Sequence, residues 1–307
     1  MHGVEDLDFL DEETKKKLKE EMEKIAGCKI GSGSSREDRT VDIIFYNGKG
    51  NIIKKIRGGA KDATNERCID IPKEDKAKIY DKRYFETKEK AEDMLSYNEK
   101  YKHYPSMAVG LKKIFKSMGR VLDIGCGEGI LVRSFNEIGI DAHGVDVSEE
   151  GINIGLSRAP WLEEKLHICD VDKDTLPFNN DYFDLVTIIY TIEHLCCPGK
   201  CLNEVKRVLK PRGHLLIVTH LPGRKDDITD KTHLNTRSKD EWIRLIKKHG
   251  LSEDPELERR IEQYIKKKHP STEKGIELIK AGRYKEREEL IRKMLEGRIV
   301  LLFYKEK

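Results

Sequence analysis

The nine residues Val121-Leu122-Asp123-Ile124-Gly125-Cys126-Gly127-Glu128-Gly129 constrain this chain more than any other segment. An apolar run broken by one acid and followed by glycine at every second position reads as a buried strand that turns sharply into a helix. Glycine serves two ends there: the chain must turn tightly, and its backbone must approach a ligand with no Cβ in the way. Alternate glycines alone suit any tight strand-to-helix turn. The spacing differs from the G-x-G-x-x-G of dinucleotide sites, and Asp123 stands before the first glycine, inside the strand end. A carboxylate at that place repels an anion and favours a cationic ligand.

Around this segment strands and helices alternate. The pattern predicts strands at Arg120 to Ile124, Ala142 to Val147, Leu166 to Cys169, Phe183 to Ile189 and His214 to Thr219, with helices at Ile130 to Ile138, Glu149 to Leu156 and Lys200 to Leu209. Such alternation implies a doubly wound α/β fold, a mostly parallel sheet with helices on both faces and the ligand at the carboxyl ends of the strands. Upstream, Asp11 to Ala26 has Leu18, Met22 and Ile25 at helical spacing. A loop Gly31 to Ser35 follows, and then Val41 to Tyr46 and Ile52 to Ile56 flank Asn47-Gly48, a hairpin signal. Arg57 to about Lys73 reads as a linker, and Glu74 to Ser117 as helical. Ser238 to Glu296 is helix-forming and strongly charged, and Arg298 to Tyr304 is an apolar strand able to re-enter the sheet. The expected organisation is a small α+β N-terminal appendage over residues 1–73 and a catalytic domain over 74–307, with a helical insertion at about 254–297 before the last strand.

At 307 residues the chain can bury a full core, enough for one domain of about 200 residues plus an appendage. Lys+Arg 59 against Asp+Glu 56 leaves a net charge of +3, which argues against a dedicated nucleic-acid coat, although a locally basic face is compatible with it. The seven cysteines (Cys28, Cys68, Cys126, Cys169, Cys196, Cys197, Cys201) lack secreted-framework spacing and fit a reducing cytoplasm. The N-terminus carries no signal-peptide pattern, and no apolar run approaches the roughly 20 residues that cross a bilayer, so no membrane association is expected.

From about Tyr84 to Thr236 the residues resemble the class I S-adenosylmethionine-dependent methyltransferases, in the group that includes the ubiquinone-biosynthesis-like enzymes. Several parts occur in the family's order. Asp123 with Gly125, Cys126, Gly127 and Gly129 matches the loop that holds the methionine portion. Asp146, in Gly144-Val145-Asp146-Val147-Ser148, matches the acid that takes both ribose hydroxyls, and Asp170, in Cys169-Asp170-Val171, the residue that accepts the adenine amino group. Leu176-Pro177-Phe178 and Phe183-Asp184-Leu185-Val186 resemble the approach to the fourth strand, which ends at Ile189. Leu209-Lys210-Pro211-Arg212-Gly213 resembles the turn into the fifth, with Arg212 where glycine is usual. The resemblance implies a Rossmann-like seven-stranded sheet and S-adenosyl-L-methionine as cofactor, giving S-adenosyl-L-homocysteine. It adds Val147, Val171, Ile189 and an aromatic, Tyr84, to the expected cofactor contacts. Asp146 alone suits a helix cap equally well. An NAD-dependent oxidoreductase and a scaffold that keeps the fold without catalysis remain as alternatives.

Methyl transfer from a sulfonium is an in-line displacement, so the protein must align the nucleophile and, where that nucleophile is protonated, supply a base. Tyr190, His194, His220 and His233 follow or neighbour the strand ends where such groups belong. Glu193-His194 with His233 resembles the divalent-metal set of small-RNA 3′-end O-methyltransferases, but Tyr190 stands where their first glutamate would be, and no metal is expected. The cysteines from Cys196 to Cys201 lack paired C-x-x-C knuckles and read as small apolar residues. The basic clusters Lys206 to Arg212 and Lys266 to His269 read as solvated faces. The expected acceptor is a small molecule attacked through oxygen, nitrogen or carbon, with RNA or protein as alternatives.

Overall fold

The computed structural model describes residue 13, residues 16–17, 29–35, 40–46, 52–59, 79–80, 97–115, 117–220, 222, 232–268 and 298–306. Glu13, Lys16 and Lys17 are helical, in the predicted first helix, most of which lies outside the described residues. So do the Asn47-Gly48 turn, Tyr84, most of the linker and of the 74–96 stretch, and the larger part of the insertion.

Three strands form an antiparallel sheet of their own: β1 (Lys29–Ser35), β2 (Thr40–Tyr46) and β3 (Ile52–Gly59), in that order. The pairing of Ile43 with Ile56 and Val41 with Gly58 confirms the hairpin. Two sequence expectations are corrected. The Gly31 to Ser35 loop is strand β1, and the linker expected from Arg57 begins later, because β3 runs on to Gly59. A Gly/Ser run has poor intrinsic strand preference; ladder bonds to a neighbouring strand override it.

The main sheet is seven-stranded. Its strands are β4 (Arg120–Ile124), β5 (Asp141–Asp146), β6 (Leu166–Ile168), β7 (Phe183–Ile189), β8 (Leu209–His220), β9 (Ser252–Glu253) and β10 (Arg298–Tyr304). Their order is β6-β5-β4-β7-β8-β10-β9. The first five are parallel; β10 lies antiparallel between β8 and β9. The helices are α1 (Tyr97–Ile114), α2 (Ile130–Glu137), α3 (Glu149–Arg158), α4 (Pro198–Val208), α5 (Lys239–Lys248) and α6 (Pro255–Lys268). The doubly wound α/β expectation is met, and the order reverses at β4, where strands depart to both sides.

Period-two alternation in β4 divides the core. Leu122 and Ile124 face a cluster with α4 and α5 that holds Leu202, Val205, Trp242 and Ile246. Val121 faces the opposite cluster, with Leu111 of α1, Phe135 of α2, Ile152 of α3 and Leu257 of α6. Asp123 shares Val121's face by the same alternation. Leu301, Leu302 and Phe303 of β10 are fully buried, which is why that apolar run re-enters the sheet.

Local signals fix the helix ends. Ser148 caps α3 by accepting from the Gly151 N–H (3.0 Å). Ser238 and Glu241 form a capping box at α5. The all-helical reading of Ser238 to Glu296 is interrupted: Gly250, at φ 75°, ends α5 and β9 pairs with β10 before α6 begins. The strand expected at His214 to Thr219 extends back to Leu209 through an irregular Pro211-Arg212 segment, and the helix expected from Lys200 starts at Pro198, whose fixed φ suits a first turn. No helix among the described residues is long and apolar enough to cross a membrane. Cys126, Cys169, Cys196 and Cys201 are free thiols. Cys197 is disulfide-bonded, which sequence spacing could not reveal because bridging depends on Cα separation in the fold.

Candidate functional site

The carboxyl ends of β4, β5 and β7 meet at the glycine loop. Gly125, Gly127 and Gly129 all have positive φ, 76°, 53° and 69°, a region that L side chains avoid. A Cβ on Gly125 would come within 2.1 Å of Thr191 Oγ1, so the loop is seated directly on the segment after β7. Gly144 is likewise required by closeness: a Cβ there would meet the Cys126 sulfur at 2.7 Å. Burial pushes the Cys126 thiol well up, with Asp146 and Asp123 adding to the effect, so it packs and does not ionise.

Asp146, the last residue of β5, accepts the Gly127 N–H at 2.7 Å and the Ser148 N–H at 2.8 Å. The acid thus holds the loop as well as ending the strand. Burial raises its carboxyl against those two bonds. Asp123 is 5% exposed, pairs across the sheet with Thr187 and accepts that hydroxyl at 2.6 Å. Burial pushes its carboxyl from an ordinary 3.8 to about 7, the Thr187 bond opposing and the Asp146 charge adding. Among the described residues neither acid has a cationic side-chain partner. The buried Asp123 and the half-buried Asp146 carboxylates, set against a loop whose Gly125, Cys126, Gly127 and Gly129 N–H groups are bonded within the protein, form a cradle whose charge is completed by a cation.

Asp170, after β6, is 2% exposed and accepts the Asp172 N–H at 3.1 Å, while its own N–H bonds Asp174. Val147 adjoins Asp146, Val171 is buried beside Asp170, and Ile189 closes β7, so these expected contacts do gather at the strand ends. Asp172, which the sequence did not single out, accepts the N–H groups of Cys196 and Cys197 at 2.8 and 2.6 Å and ties the loop after β6 to the start of α4. Its only sequence signal was an acid two residues past Asp170.

Beyond β7 and β8 the four candidate catalytic residues come together. Tyr190 sits at φ 51°, a strained conformation for a non-glycine residue, and its ring lies 4.8 Å from that of His220, the last residue of β8. His220 stacks on His233 at 5.3 Å, and His233 meets His194 at 4.7 Å. Glu193 and His194 belong to a 3-10 turn, Ile192–His194, and Glu193 is fully buried with His220 Nε2 3.8 Å from its Oε1. The Glu193 carbonyl accepts the N–H groups of Leu234 and Asn235, both at 2.8 Å, and so fastens the His233 segment beneath this turn. His194 Nδ1 is 3.1 Å from the Thr232 carbonyl, which can only accept, and 2.9 Å from the Thr232 hydroxyl, which can donate. Donation from Nδ1 to the carbonyl leaves Nε2 with its lone pair, and a bond accepted from the hydroxyl puts the proton on Nε2. Glu193, His194 and His233 each offer a ligand atom, and the three lie within 4.8 Å of one another. Tyr80, half-buried, meets His194 edge-on at 6.2 Å; Tyr84, expected from the sequence as a cofactor contact, lies outside the described residues.

Residues 96–254, just over half of the 307, match a methyltransferase domain model. The ubiquinone/menaquinone biosynthesis C-methyltransferase UbiE of Vibrio vulnificus is 35% identical over 104 residues, 32% of this chain and 40% of that protein. YcgJ of Bacillus subtilis, an uncharacterised methyltransferase, is 29% identical over 144 residues, 43% of this chain and 57% of that protein. The chain thus spans about half the length of these curated relatives. The crystal structure of YcgJ aligns with a TM-score of 0.45 at 20% identity, covering 66% of this chain and 99% of that one. Through the domain matched over residues 96–254, the chain belongs to the class I S-adenosylmethionine-dependent methyltransferase family.

Proposed function

We propose that this chain transfers the methyl group of S-adenosyl-L-methionine to an oxygen, nitrogen or carbon atom of a small-molecule acceptor. The observation that carries the reading is the pair of buried Asp123 and half-buried Asp146, without cationic partners among the described residues, beside the loop of Gly125, Gly127 and Gly129. An anionic pyrophosphate would meet two carboxylates there, whereas an ammonium or sulfonium would neutralise them. The cofactor supplies an activated methyl group on a positive sulfur. Asp123 would hold its amino group, Asp146 its ribose hydroxyls and Asp170 its adenine, with Val147, Val171 and Ile189 as the apolar walls.

The remaining chemistry falls to the cluster beyond β7 and β8. In the tautomer whose Nδ1 donates to the Thr232 carbonyl, His194 offers Nε2 to take a proton from an incoming hydroxyl or amine; His233, itself stacked on His220, packs against its ring, and the Glu193 carboxylate within 4.8 Å stabilises the imidazolium that results. Tyr190 borders the same space. Isothermal calorimetry of the full chain against S-adenosylhomocysteine and against NADH tests the reading. Binding of the first and not the second is the expected result, and the reverse overturns it in favour of an oxidoreductase.

The spacing of Glu193, His194 and His233 supports a second reading, a divalent-metal-dependent O-methyltransferase acting on RNA or a small molecule. One carboxylate and two imidazoles suit Mn²⁺, Fe²⁺ or Zn²⁺, and the Thr232 carbonyl at His194 Nδ1 is the outer contact that such a ligand ordinarily has. Tight Mn²⁺ binding that His233→Ala abolishes would select this reading; methylation indifferent to chelator and to added Mn²⁺ would remove it.

A further inference from the structure

At the opposite end of the sheet, a cavity of about 640 Å³ opens where β4, β7 and β8 begin, lined from one side by α1 and from another by α6. This lies at the amino ends of the parallel strands, a full strand length from Asp123 and Asp146. Its volume falls within the range of about 300 to 1,000 Å³ typical of small-molecule sites.

The charges that line it do not cancel in use. Asp184 is fully engaged: it accepts the N–H groups of Gly119 and Arg120 at 3.0 and 2.8 Å and the Lys210 ammonium at 2.7 Å, which holds its carboxyl below the ordinary range. Asp254 accepts the Leu257 N–H at 2.9 Å, capping α6, and stands 3.5 Å from His214 Nε2. Glu256 pairs with Arg259. Every acid of the cavity therefore has its partner. Two cations, both exposed, do not: among the described residues Arg260 donates only to the Ile114 carbonyl, at 3.2 Å, and the Arg212 guanidinium has no hydrogen bond or ion pair.

Arg212 is also strained. Its φ of 65° lies in the left-handed region, a conformation that glycine adopts freely and arginine does not, and the position is one where the resembled family has glycine. Its backbone N–H is bonded to the Lys305 carbonyl at 2.7 Å, so β10 holds the turn in place. An arginine kept where the backbone disfavours it, beside a second uncompensated guanidinium and an apolar floor of Phe115, Met118 and Leu257, has the chemistry of an anion receptor with a greasy wall.

We propose that this cavity is a second ligand site, separate from the cofactor end, for an organic oxyanion: a phosphate monoester or carboxylate held by Arg212 and Arg260 and joined to an apolar, ring-sized body resting on Phe115 and Met118. The test uses the full chain and calorimetry with naphthyl phosphate, naphthoate, neutral naphthol and inorganic phosphate. At least one of the two organic anions should bind, and which one binds more tightly distinguishes the phosphate from the carboxylate source. Naphthol and inorganic phosphate should each bind at least about tenfold more weakly.

Arg212→Gly removes the charge and relieves the backbone, so it should fold at least as stably as the parent, bind S-adenosylhomocysteine unchanged and lose about tenfold or more in affinity for the organic anion. Arg260→Gln should weaken the anion in the same direction. The proposal is overturned if neither organic anion binds, if naphthol or inorganic phosphate matches them, or if Arg212→Gly binds the anion as the parent does.

Discussion

Asp123→Asn exposes the tension built into the cofactor end. In the free protein burial pushes the Asp123 carboxyl from 3.8 to about 7, so the folded chain keeps its proton where the unfolded chain has lost it. The sign follows: the stabilising contribution is fully present below pH 3.8 and is lost as pH rises through about 7. Integrated over that window it amounts to about 4 kcal/mol, an upper figure because water penetration and relaxation reduce it. Asparagine carries no charge and keeps a carbonyl oxygen for the Thr187 hydroxyl that Asp123 now accepts at 2.6 Å. Urea unfolding at pH 5 and pH 8 should therefore show the parent losing up to about 2.6 kcal/mol more than Asp123→Asn between the two conditions, since part of the window lies below pH 5. The variant should be the more stable protein at pH 8 and yet bind S-adenosylhomocysteine at least about tenfold more weakly. Equal losses in parent and variant would refute the reasoning, because the difference between them isolates this one carboxyl from the histidines that titrate in the same range.

The same logic gives the cofactor a pH dependence: affinity of the parent for S-adenosylhomocysteine should rise with pH up to about 7 and then level, a profile that Asp123→Asn lacks and titration calorimetry across pH 5 to 9 would record. Asp146→Ala strips the acceptor of the Gly127 and Ser148 N–H groups and should weaken the cofactor by roughly 1 to 3 kcal/mol; unchanged affinity would refute its role. Gly125→Ala puts a Cβ 2.1 Å from Thr191 Oγ1 at φ 76°, so a loss of about 2 kcal/mol or more in thermal unfolding is expected. Phe303→Ala empties a fully buried position of β10 and should cost about 3 to 5 kcal/mol by urea titration.

The strand ends were legible because they obey short-range rules. β4 begins at a charge, Arg120, and ends at a glycine, Gly125, and the acids Asp123, Asp146 and Asp170 sit at or just past the ends of β4, β5 and β6 by their place in the chain. The gathering of Tyr190, His194, His220 and His233 was legible only as a list. Their mutual packing depends on the Glu193 carbonyl reaching Leu234 and Asn235 across some forty residues, a tertiary bond with no sequence period. Strand β1 was missed because its Gly and Ser side chains specify nothing and its order comes from β2. Thr187 was passed over although it occupies the register position opposite Asp123, since register is set by the sheet and not by either strand alone. The uncompensated Arg212 could not be read at all from a run of seven residues in which four are basic.

The position of β10 bears on how this fold can change over time. Its seven residues pair with β8 along their whole length, though the chain leaves β8 at His220 and returns only at Arg298. Closing such a connection costs entropy that grows only as the logarithm of its length, so doubling it adds about 0.6 kcal/mol. By loop closure alone, a change in the number of residues between Lys268 and Arg298 therefore costs little so long as β10 finds its slot. That connection is a place where new sequence can be tried without risking the sheet, and where relatives sharing the same strand ends are free to diverge in what they recognise.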